Sequence, residues 1–86
     1  MWIKSQNRER LINLNRCAGV KIDFLGNVGR IWACQEVGEG LAYLLGEYRD
    51  YAAKKIFDEI ALLLEQTHTY SMPDEHDANE KYKEAE

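Results

Sequence analysis

The sequence predicts an α+β fold: an antiparallel sheet of four or five strands, one long C-terminal amphipathic helix packed on one face, and an acidic tail. Three observations carry this expectation. VKIDF at 20–24 sets Val20, Ile22 and Phe24 against Lys21 and Asp23, the alternation of a half-buried strand. Glycine-bearing stretches, GNVG at 26–29 and VGEG at 37–40, separate that run from two further apolar runs. Over 49–66 the chain has no Gly or Pro, and its apolar residues recur at helical spacing.

WIKSQ at 2–6 reads as the first strand, with Trp2 and Lys4 on one face and Ile3 on the other. An aromatic so close to a terminus implies that the start of the chain is tied down, because termini are otherwise frayed and polar. Trp2 is therefore expected as a core anchor beneath the helix, with Trp2→Ala costing about 3 kcal/mol or more. NRER at 7–10 is a bend, and LINLN at 11–15 is a second strand segment. After VKIDF and its turn, RIWACQE at 30–36 returns as a strand, and LAYLLGEY at 41–48 is the last one.

In RDYAAKKIFDEIALLLEQ at 49–66, Asp50 is the expected N-cap. Ala53, Ile56, Phe57, Ile60, Leu63 and Leu64 make the buried face. Lys54 with Asp58 and Lys55 with Glu59 are spaced to pair on the exposed side. Ala61 and Leu62 widen the apolar stripe, which reads either as a broad core face or as a second contact with a symmetry mate. Residues 67–86 contain the chain's single proline and few aliphatic side chains. They are expected to form an acidic tail, partly disordered or weakly helical, outside a single domain over 1–66.

Eighty-six residues allow one domain with a thin core, and oligomerisation is one way to enlarge it. Cys17 and Cys34 make no disulfide framework and read as small core fillers, which suits a reducing, cytoplasmic compartment. The start has no apolar leader-like run, and IALLL at 60–64 is far too short to cross a bilayer. The net charge of −4 is unevenly divided: residues 1–55 carry +3 and residues 56–86 carry −7. The basic front suits a small anion, while the acidic back half argues against a continuous track for a long nucleic acid.

No catalytic signature is present, so no enzyme is expected. Ser5 and Ser71 lack a nucleophile elbow, the cysteines lack a local histidine, and neither glycine stretch has the P-loop pattern. His68 and His76 lie near Asp74, Glu75 and Asp77 but match no ligand spacing, so no metal or cofactor is expected. The basic positions carry more chemistry. Lys4, Arg8, Arg10, Arg30 and Arg49 are candidate ligand-binding residues, with Trp32, Tyr43 and Tyr48 as stacking partners. Arginine forks pair with phosphate oxygens, and aromatic faces stack on bases. The alternatives are that Trp32 belongs to the core and that the arginines are solvated surface charge.

MWI-x-SQ, carried by Met1, Trp2, Ile3, Ser5 and Gln6, and LGEY, carried by Leu45, Gly46, Glu47 and Tyr48, precede a helix containing Asp58, Glu59 and Ile60. This pattern resembles a group of small phage and prophage proteins from Gram-positive bacteria, over residues 1–15 and 41–62. The resemblance implies a viral or mobile-element setting in a host bacterial cytoplasm, where small proteins inhibit host factors or sequester signalling molecules. It assigns no activity and no functional residue. Two functions are then expected in order: capture of a small anionic, nucleotide-like signal by a homo-oligomer to counter host defence, or inhibition of a host protein through a protein–protein interface.

Overall fold

A computed structural model describes residues 1–35, 42–64 and 69–83. The elements run β1 (Trp2–Lys4), β2 (Leu11–Asn13), a 3-10 turn (Leu14–Arg16), β3 (Cys17–Leu25), β4 (Val28–Gln35), β5 (Ala42–Arg49), α1 (Asp50–Leu63), β6 (Thr69–Ser71) and α2 (Glu75–Tyr82). The α+β class is as expected, but the strands form two sheets of three, ordered β2-β1-β6 and β3-β4-β5. The VGEG turn lies outside the described residues. No helix among the described residues is long and apolar enough to cross a membrane.

The meander β3-β4-β5 is the larger sheet. Its first hairpin turns at Gly26 and Asn27, with Leu25 paired to Val28. Gly26 takes φ +62 and Asn27 stays at negative φ, the pattern of a type II′ turn, whose twist matches the flanking strands. Along β4, Gly29, Ile31 and Ala33 face α1 and are buried. Gly29 is there because a Cβ at that position would run into the Ala53 methyl of α1. Between β4 and β5 the register shifts at Ile31/Trp32, leaving Leu45 as the extra, fully buried residue. Gly46 leaves room for the Tyr48 ring, which lies 2.8 Å from where a Cβ would stand. Tyr48 is completely buried, and its hydroxyl donates to the Pro73 carbonyl at 2.6 Å.

Helix α1 buries Ala52, Ala53, Ile56 and Ile60 and half-buries Phe57 and Leu63. Leu62 is 81% exposed and Leu64 is also exposed, so the widened stripe continues past the core contact. Arg49, not Asp50, occupies the N-cap position, and its side chain makes no cap bond. Asp50 is the first helical residue, where its Oδ1 still accepts from the Tyr51 amide at 2.8 Å. Glu59 does not pair with Lys55; its two oxygens accept from the hydroxyls of Tyr70 and Tyr82, tying β6 and α2 to α1.

Two further expectations are corrected. Trp2 is 42% exposed, and the fully buried residue of β1 is Ile3. The period-two alternation holds, with Ile3 rather than Trp2 on the core face. Trp2 lies opposite Asn13 and Thr69, and Lys4 opposite Leu11 and Ser71, so turning that face inward would bury a lysine together with three polar side chains. Residues 69–83, assigned from the sequence to a weakly ordered tail, belong to the fold. β6 adds to β1 in parallel, Met72 is fully buried, and α2 buries Ala78. Asp74 caps α2 by accepting from the His76 amide at 3.1 Å.

Candidate functional site: a two-arginine cleft

The turn after β1 is organised by Ser5, which is buried. Its hydroxyl donates to Asn7 Oδ1 at 2.6 Å and accepts from the Arg10 amide at 3.1 Å. The Ser5 amide donates to the Arg10 carbonyl at 2.9 Å, which closes the turn and starts β2 at Leu11. Three residues on, β2 ends in a 3-10 turn. Asn13 caps it by accepting from the Asn15 amide at 3.0 Å, and Arg16 sits in its last turn. One turn therefore sets the position of Arg10 and the next sets that of Arg16.

Both arginines line a single cleft of about 380 Å³. Leu11, Ile12 and Asn13 of β2 form its floor between them, and Cys17 and Tyr43 complete the wall from the second sheet. Arg10 stacks on the Tyr43 ring with its guanidinium carbon 4.9 Å from the centroid. Among the described residues neither Arg10 nor Arg16 is ion-paired, and no carboxylate or imidazole lines the cleft. Two guanidinium groups beside an aromatic ring and an asparagine amide can hold phosphate or carboxylate oxygens against an apolar floor. The volume lies at the lower end of the range for small-molecule sites.

The eight sequence candidates divide. Arg10 and Tyr43 meet in the cleft. Arg30 and Trp32 are together elsewhere, on the face of β4 that points away from α1, where Asp23 holds both. Asp23 Oδ1 accepts from Arg30 Nε at 3.1 Å, and Oδ2 accepts from Trp32 Nε1 at 3.2 Å. The guanidinium carbon of Arg30 lies 5.6 Å from the Trp32 ring centroid. Here the arginine charge already has a carboxylate, so this trio braces the sheet. Lys4 is on the exposed face of β1, and Arg8 is in the first turn at φ +67. Arg49 is exposed at the β5–α1 junction, with its amide bonded to Asn79 Oδ1 at 3.0 Å. Tyr48 is removed from the candidates, because a fully buried ring offers no face to a ligand. Arg16 is the residue that sequence reasoning missed. It lies six positions beyond Arg10, and a 3-10 turn of three residues leaves no periodic signal that would bring the two together.

A second polar cluster lies around Glu59, Tyr70 and Tyr82, beside a hollow of about 250 Å³. Burial first, then the hydrogen bond to Glu59 and its negative charge, keep both phenols protonated; the Tyr82 pKa is pushed from 10.0 to about 12, and that of Tyr70 goes higher. Among the described residues no group of three or more His, Cys, Asp or Glu is placed to hold a metal ion. His76 is exposed on α2, and His68 lies outside the described residues. No known family, curated protein or solved structure matches this chain.

Proposed function

We propose that the protein is a non-enzymatic binding protein that captures a small anionic, nucleotide-like ligand in the cleft between Arg10 and Arg16. The convergence of these two unpaired guanidinium groups on one cleft, with Tyr43 as its aromatic wall, carries the reading. The phosphate oxygens take the two arginine forks, and the apolar floor of Leu11 and Ile12 receives the rest of the ligand. A cleft without an acid, base or nucleophilic pair suits capture without turnover. In the phage setting that the resemblance implies, such capture would withdraw a host signalling nucleotide and so counter host defence.

The test is calorimetry of the full chain against mono-, di- and cyclic nucleotides, repeated with Arg16→Ala and Arg10→Ala. Each lost charge-assisted contact is worth roughly 1.5–3 kcal/mol, so either variant binds at least about tenfold more weakly. Binding weakens modestly with salt, because few phosphates are neutralised. No heat and no thermal shift at ~100 µM of any nucleotide, a concentration that detects all but very weak binding, rejects the reading. Inhibition of a host protein would then lead, favoured by two exposed leucines on the outer face of the second sheet, Leu44 opposite Trp32 and Leu25 beside the Gly26 turn.

A further inference from the structure

The free edge of the second sheet is β3, and its regular part is self-complementary. β3 ends the order β3-β4-β5, and no other strand among the described residues pairs with its outer side. The opposite edge is treated differently: at β5, Gln6 bonds to the main chain of Leu45 and Glu47 and so closes that side. Among the described residues nothing covers β3 in this way. A register shift between Cys17 and Gly19 ends its regular ladder at one end, and the Gly26 turn ends it at the other. Between them Gly19–Leu25 is uninterrupted, and Ile22 is its midpoint.

The direction of its free main-chain groups follows from the hairpin. In a two-residue turn the flanking residues, here Leu25 and Val28, bond to each other, so the amide and carbonyl of Leu25 point toward β4. Alternation then directs those of Asp23 and Lys21 inward and those of Phe24, Ile22 and Val20 outward. The unpaired groups are thus centred on Ile22, as an antiparallel two-fold pairing requires.

We propose that β3 pairs antiparallel with β3 of a second copy of this chain, in the register that sets Ile22 opposite the partner's Ile22. Every position in that register finds a suitable neighbour. Val20 lies opposite the partner's Phe24, an aromatic against a β-branched side chain on the face that carries α1. Phe24 is 44% exposed in one chain, and this contact covers it. On the other face Lys21 lies opposite the partner's Asp23, twice by symmetry. These are close, non-hydrogen-bonded positions, where opposite charges attract most. Leu25, which is 70% exposed, lies opposite the partner's Gly19, where nothing stands within 4 Å of a Cβ. Val20, Ile22 and Phe24 together exchange about six main-chain hydrogen bonds with their counterparts. The product is a continuous six-stranded sheet with both α1 helices on one face, an isologous dimer in which no edge charge repels. The paired segment Gly19–Leu25 contains none of the residues that line the arginine cleft.

Sedimentation of the full chain across a concentration series, with hydrogen exchange read at single amides, tests the proposal. A dimer is expected in which the amides of Val20, Ile22 and Phe24 become protected as concentration rises, while those of Lys21 and Asp23 are protected throughout. Lys21→Asp sets carboxylates opposite each other and weakens the dimer by about tenfold or more. Asp23→Lys does the same with two ammonium groups, and an equimolar mixture of the two variants forms a mixed dimer in which both charge pairs are restored. If Asp23→Lys unfolds through loss of its bonds to Arg30 and Trp32, the wild-type exchange pattern still decides. A monomer at the highest concentration overturns the proposal. So does a dimer in which the exchange of those three amides is unchanged.

Discussion

Gln6 and Glu47 form a closed pair between a side chain and a main chain. Gln6 Nε2 donates to the Glu47 carbonyl at 2.9 Å, and Gln6 Oε1 accepts from the Glu47 amide at 3.1 Å. The Gln6 amide also donates to the Leu45 carbonyl at 2.8 Å. The side-chain amide thereby stands in for a peptide group of a neighbouring strand, and it joins the small sheet to the edge of the large one. SQ at 5–6 and LGEY at 45–48 meet at this bond. Ser5 organises the turn before it, and Gly46 and Tyr48 pack behind it. These residues hold the two sheets together.

The first prediction concerns this joint. Gln6→Ala removes both side-chain bonds but keeps the Gln6 amide contact. The site is exposed, so water replaces part of what is lost, and the cost is about 1–2 kcal/mol. Urea denaturation measures it, and an unchanged midpoint would show that the two side-chain bonds add nothing to the joint between the sheets.

β1 supplies a paired comparison. Ile3→Ala empties a fully buried site and costs about 2–5 kcal/mol. Trp2→Ala removes a larger side chain from a surface where it is 42% exposed, and costs less. Thermal melts of the two variants rank them. The reverse order would place Trp2 in the core.

Deletion of residues 67–86 is a stringent test of where the domain ends. It removes β6 from the edge of β1, the Met72 side chain from the core, and the Pro73 carbonyl that satisfies Tyr48. Loss of a buried methionine alone costs about 2–5 kcal/mol, comparable with the whole stability of a small domain. The shortened chain is expected to be largely unfolded by circular dichroism. A cooperative melt near that of the full chain would make the segment an appendage.

Alkaline titration reads the tyrosines around Glu59. In the unfolded chain a phenol releases its proton near pH 10.0, whereas folded Tyr82 holds it to about 12 and Tyr70 beyond. Above pH 10 the unfolded state therefore binds fewer protons, and stability falls as pH rises. The contribution is complete below pH 10 and is lost as pH rises through about 12. Denaturant midpoints measured at stepped alkaline pH should decline over that window, and Tyr82→Phe should flatten the decline. A flat wild-type profile would show that neither burial nor Glu59 holds these phenols protonated.

What the sequence determined by itself is whatever repeats along the chain. VKIDF has one face for α1 and one for solvent, the Gly26 hairpin returns the chain, and α1 buries Ala53, Ile56 and Ile60 at helical spacing, because each pattern reflects burial at consecutive local positions. Only the tertiary structure decided which face of β1 is the core. Alternation defines two faces but not their sense, and the sense was set by Asn13, Leu11, Thr69 and Ser71, contributed by distant strands. The same holds for β6, whose pairing with β1 is made by main-chain groups that every residue carries, so three residues leave no trace in side-chain periodicity. Arg10 and Arg16 share a cleft for a similar reason: two short turns, each closed by a local hydrogen bond, bend the chain between them, and the direction of that bend is fixed only when β2 docks on β1.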